Sequence, residues 1–216
     1  SAESSKKTVG QSAVQALYNA FVQADDAIRN QTDPMLSDPE GSSPQLSFAI
    51  SDTDLEAEIE KDREALSDRL RDWKDLVGDL KASDNLAKRF EKTESNLRLV
   101  REYLDEVALA VNSLSAGAVS QSTIDAWKAA TLVARSDVEA AAAAVSESRS
   151  GYVSAEQGVL VATRELDLRI VGADKQDIEA ALDAADAAQS QMEIIAERLR
   201  QATISTPENN LLIKKI

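Results

Sequence analysis

The sequence predicts an all-α protein: an elongated antiparallel bundle of coiled-coil hairpins with about five helices and a short β-like C-terminal tail. Three observations carry this. Turn formers are scarce, with 7 glycines and 4 prolines in 216 residues and only 4% aromatics, too few for a protein built from β-hairpins. The apolar fraction of 43% rests largely on Ala, Leu and Val amid many Glu, Asp, Lys and Arg, a mixture that favours long helices. In several stretches apolar residues also recur every seventh position, the spacing of a coiled-coil seam.

The first helix is predicted over 6–31, where Ala13, Leu17, Phe21, Ala24 and Ile28 share one face. Asp33-Pro34 stops it. Residues 32–53 hold three of the four prolines and Gly41, so they read as a long loop with one extended piece at 45–50. Asp52 or Asp54 then caps a second helix, 54–81, whose seam is Ile59, Leu66, Trp73 and Leu80. After a turn at 82–85, a third helix over 85–115 carries Phe90, Leu97, Leu104 and Val111 in one row, with Leu86, Val100, Val107 and Leu114 beside it. Two such helices joined by a short turn should form an antiparallel hairpin. Ser120 or Ser122 opens a fourth helix, 121–171, along Ile124, Thr131, Val138, Val145, Tyr152, Val159 and Leu166, with Gly151 and Gly158 as places for a bend. Gly172-Ala173-Asp174 is expected to end it. A fifth helix, 175–202, follows with Ile178, Ala185, Met192 and Leu199. Residues 1–202 thus form one helical domain, and 203–216 the start of a β segment.

Charge and residue usage narrow the function. A net charge of -14 disfavours nucleic acid and anionic membranes. With no cysteine and no histidine, the commonest metal ligands and the commonest general base are missing. The acidic pairs Asp25-Asp26 and Asp183 with Asp186 lack the Glu-x-x-His partner of a di-metal bundle and read as solvated faces. Trp73 and Trp127 lie on the seam register and read as large core residues. No enzyme activity, cofactor or metal is expected. No run of about 18 apolar residues occurs, so this segment should not insert into a membrane.

Three stretches resemble a known family. The tail, Thr203-Ile204-Ser-Thr206-Pro207-Glu-Asn209-Asn210-Leu-Leu212-Ile-Lys-Lys-Ile216, is similar to the pattern T-I-x-A-P-x-D-G-x-V-x-x-I, departing at Thr206, Asn209, Asn210 and Leu212. Glu165-Leu166-x-Leu168, leading to Gly172-Ala173-Asp174 and Asp177-Ile178, looks like a joint of the form L-x-L…G-A-T-x-E-D-I. Ala24-Asp25-Asp26-Ala27-Ile28-Arg29-Asn30, Asp33-Pro34 and Ser43-Pro44-Gln45-Leu46-x-Phe48 resemble a segment of members with an enlarged helical region. The family is that of bacterial membrane fusion proteins, the periplasmic adaptors of hemolysin-secretion and resistance-nodulation-division type pumps.

The resemblance implies a non-enzymatic helical domain that bridges an inner-membrane efflux or secretion transporter to an outer channel or another envelope partner. It also implies a homo-oligomer, a periplasmic or extracytoplasmic location with the membrane anchor in parts outside this chain, and a tail entering a lipoyl-like β-domain. The family's tip motif is an Arg, a Leu four residues on and a Ser seven further. Leu76 and Ser83 match it as the partner contact at the hairpin turn, while Asp72 stands where the Arg would. A ligand-sensing helical bundle of a chemoreceptor or sensor kinase is the alternative, since such bundles are also acidic and heptad-patterned. They differ in keeping both ends helical.

Overall fold

The computed structural model describes residues 2–117 and 119–202, and among these the chain forms four α-helices and one two-stranded ladder. The helices are α1 (Ala2–Asp26), α2 (Thr53–Gly78), α3 (Ala87–Ser113) and α4 (Gln121–Ala202). The all-α class holds. The separate fourth and fifth helices do not: 121–171 and 175–202 are one helix, and Gly172 lies within it. No proline falls between 121 and 202, and a lone glycine in a helix costs only about 1 kcal/mol, too little to break a chain so rich in alanine. Gly151 and Gly158 lie within the same helix. The expected β segment at 203–216 lies outside the described residues.

The chain divides into two compact units, one over 1–160 and the other over 161–216. In the first, side-chain contacts fix the helix directions. Phe21 meets Trp73 edge-on at 5.8 Å, and Gly10 of α1 lies against the Ala82 carbonyl just beyond α2, so α1 and α2 run antiparallel. Arg135 to Asp105 at 2.8 Å, Arg149 to Glu94 at 2.6 Å and Phe90 to Tyr152 at 5.9 Å run α4 antiparallel to α3. Lys6 and Glu156, 3.4 Å apart, join the start of α1 to α4. Successive helices therefore alternate in direction, across the long 27–52 connection as well as the short turns that follow α2 and α3.

Most of the seven-residue rows of the first unit become the core, although Leu80, beyond the end of α2, and Val159 are half-buried and Leu166, past that unit, is exposed. Ile59, Leu66 and Trp73 of α2, Phe90, Leu97, Leu104 and Val111 of α3, and Ile124, Thr131, Val138, Val145 and Tyr152 of α4 are all buried. Trp127 is half-buried and lies 5.0 Å from Phe48. α2 opens where expected: the Asp52 carboxylate accepts the Leu55 amide at 3.1 Å, satisfying a donor that the helix start leaves unpaired.

The 27–52 connection is more ordered than its prolines suggest. Residues Ala27–Thr32 make a π-helical turn, with the Thr32 hydroxyl donating to the Ile28 carbonyl at 3.0 Å, and Asp33–Met35 follow as a 3-10 turn. Leu36 then pairs with Leu46, and Ser37 with Gln45, in the antiparallel ladder of β1 (Leu36–Ser37) and β2 (Gln45–Leu46). Met35, Leu36, Leu46 and Phe48 are buried in the core. The segment is pinned electrostatically as well. Arg63 on α2 is fully buried and donates from its Nε to Asp33 Oδ1 at 2.6 Å and from a terminal nitrogen to Asp33 Oδ2 at 2.8 Å. Its other terminal nitrogen donates to Ser67 Oγ at 2.7 Å.

Removing one member of this pair leaves a buried charge unmatched. Asp33→Ala or Arg63→Ala should each lower unfolding free energy by about 3–5 kcal/mol in urea, whereas the double change to Leu and Met should cost less than the sum of the two. Gly10 makes a second test. A Cβ there would stand 2.7 Å from the Ala82 carbonyl oxygen, so Gly10→Ala should destabilise by about 1–3 kcal/mol. Gly151, with nothing within 4 Å of an added Cβ, should instead gain about 0.5–1 kcal/mol as alanine.

Candidate functional site

In the second unit, every residue of 161–200 whose surroundings the structure describes is exposed. Its apolar side chains are large: Ile178 is 60% exposed, Leu182 60%, Met192 65% and Ile195 56%. A monomeric protein rarely leaves so long an apolar row in water, which makes this helix face the first candidate for a functional surface. Ile178, Ala185 and Met192 stand seven apart, with Ala181, Ala188 and Ile195 on the adjoining row. Among the described residues, no helix is long and apolar enough to cross a membrane.

The first unit has an acidic flank along the α2–α3 seam. Glu106 is half-buried, and its Oε2 has no hydrogen-bond partner among the described residues. Burial first, and then the negative charges of Asp62 and Glu58 on α2 and of Glu102 and Asp105 on α3, push its pKa up to about 7. Arg135 of α4 reaches this flank but pairs with Asp105. Nearby, burial also pushes up the Tyr103 phenol, which lies by Thr32 and the Arg63–Asp33 pair. No group of described His, Cys, Asp or Glu residues has a metal-holding arrangement.

Leu76 and Ser83, the proposed partner contact, have different settings. Leu76 is half-buried against the core near the end of α2 and helps line a small cavity of about 180 Å³ with Trp73, Asp72 and Lys92. Ser83 is exposed in the turn that follows α2. At the opposite end of the same unit, Phe48, Ile50, Leu55, Leu109, Leu114 and Val119 line an open cavity of about 730 Å³.

Sequence reasoning missed Arg63, Asp33 and Glu106. Arg63 had a legible signal: it falls four residues after Ile59 and three before Leu66, a seam position where a charge needs a buried partner. Glu106 had none, because its setting depends on Glu58 and Asp62 of another helix. Comparison with protein-family models, with curated proteins and with solved structures finds no match.

The raised Glu106 pKa has a sign. Between its ordinary value of 4.5 and about 7, the folded state holds a proton that the unfolded state has released, so stability falls as pH rises through that window. Glu106→Gln should therefore flatten the pH dependence of the urea midpoint between about pH 5 and 8, and should stabilise at the alkaline end. An unchanged slope would show that the carboxyl does not titrate there.

Proposed function

We propose that the chain is the helical region of a periplasmic adaptor of the membrane fusion protein class, linking an inner-membrane transporter to an outer channel or envelope partner. In this reading the first unit is an antiparallel bundle whose coiled-coil seams make it stiff, and 161–202 is one limb of a longer hairpin. The observation that carries it is the 82-residue α4, which continues through Gly172 into a stretch whose side chains, among the described residues, are exposed. A strut needs such a helix: at about 1.5 Å per residue it spans an aqueous gap with few residues. The order of the 27–48 segment supports the reading too, since the residues that resemble the enlarged helical region of some adaptors include Asp33, Leu46 and Phe48, all packed into this bundle. Leu76 and Ser83 would then sit at the bundle end formed by the α2–α3 turn, available to an envelope partner. The adaptor would act without catalysis, as a homo-oligomer.

The alternative is an extracytoplasmic ligand-sensing bundle, and the open cavity between Phe48 and Val119 is the observation in its favour. One experiment separates the two. The full-length protein is crosslinked in living cells through a photoreactive residue at Leu182 or Met192, and its adducts are purified from membranes. An adaptor should yield adducts within its own assembly and carry a transporter subunit with it. Recovery of a receptor or kinase signalling complex without any transporter would support the sensor, and an exclusively cytoplasmic pool would overturn both.

A further inference from the structure

Between 176 and 197 the apolar row has three carboxylates along one border and one along the other. Glu179, Asp186 and Glu193 stand seven apart, each next to a member of the Ile178, Ala185, Met192 row. The opposite border carries Asp177, Ala184 and Gln191, a single charge. From 176 to 197 there is no lysine or arginine at all, so the acidic edge receives compensation only at its start, where Lys175 lies 3.9 Å from Glu179. Both of those side chains are mostly exposed, and such a pair contributes little. Asp186 and Glu193 have no ion-pair partner among the described residues.

We propose that this face is the docking site for a heterologous helix whose apolar stripe is bordered on one edge by Lys or Arg. Two physical points select that occupant. When two identical helices pack antiparallel, like edges meet, so a second copy laid antiparallel would bring Glu179, Asp186 and Glu193 against themselves. A basic-edged helix meets the same row with opposite charge and gains both register and discrimination, because carboxylates seven apart fix where its cations must fall. The apolar contact itself is short-ranged: Ala181, Ala185 and Ala188 let the two axes approach closely, while Ile178, Leu182, Met192 and Ile195 supply the buried area. This inference rests on the helix alone and stands apart from the adaptor reading.

The test uses the purified full chain and two synthetic helical peptides. They share one Leu/Ala stripe and differ only in a bordering row of Lys or of Glu. The Lys peptide should bind at least about tenfold more tightly by fluorescence anisotropy, and the gap should narrow in molar salt, where the screening length falls to about 3 Å. The variant Glu179→Lys, Asp186→Lys, Glu193→Lys should invert the preference while leaving helix content by circular dichroism unchanged. Equal binding of both peptides, binding of neither, or a stable dimer of the chain that excludes both would overturn the proposal. None of these outcomes depends on a transporter, so failure here is distinct from failure of the adaptor reading.

Discussion

The buried contact between Arg63 and Asp33 is the constraint around which the first unit is organised. A guanidinium without water needs its donors filled, and three are: two by the Asp33 carboxylate and one by Ser67. Meeting that demand fixes the residue after the π-helical turn against the middle of α2. Met35, Leu36, Leu46 and Phe48 then fall into the core, and Phe48 reaches Trp127 of α4. A polar pair thus determines where four apolar side chains are buried. Such a pair adds less to stability than hydrophobic packing of equal volume, but it admits few alternative arrangements of the connection.

Outside that contact the bundle relies on side chains of very different size. Trp73, Phe90 and Tyr103 fill the space around α2 and α3, while the middle of α4 presents Ala134, Val138, Ala141 and Val145. Narrow residues on one helix set against broad ones on its neighbours keep packing dense without overfilling. Charge follows a different pattern. Arg135 and Arg149 of α4 neutralise Asp105 and Glu94 across the α3–α4 edge, but the α2–α3 edge gathers Glu58, Asp62, Glu102 and Glu106, of which Glu102 has Arg98 at 3.9 Å on its own helix. The two edges of α3 therefore respond oppositely to salt, which weakens the first and relieves the second.

The parts legible in the sequence were those governed by local periodicity. The rows from Ile59, Phe90 and Ile124 identified the buried faces, and Asp52 marked the start of α2, because seam spacing and capping are properties of a single helix. Helix ends were less legible. Gly172-Ala173-Asp174 reads as a stop, yet with no proline between 121 and 202 the helix continues. The ladder between Leu36 and Leu46 was half visible as an extended piece, but its partner strand is too short to show alternation. The apolar row from Ile178 was legible as a row and taken first for core; its exposure is a fact about what surrounds it, which no periodicity records.

The π-helical turn at Ala27–Thr32 carries a consequence for how this chain tolerates changes in length. A turn of this kind holds one residue more than an α-helical turn, and here Asp33 N–H reaches back to the Ile28 carbonyl to close it. Because that extra residue is already absorbed in the turn, loss of one residue within 27–32 would let ordinary helical winding resume with Asp33 still facing Arg63 and Met35 still facing the core. An insertion has no such reservoir: one more residue would rotate everything that follows by about 100° and carry Asp33 away from Arg63. The connection behaves like a link with slack in one direction, able to give up a residue but not to take one.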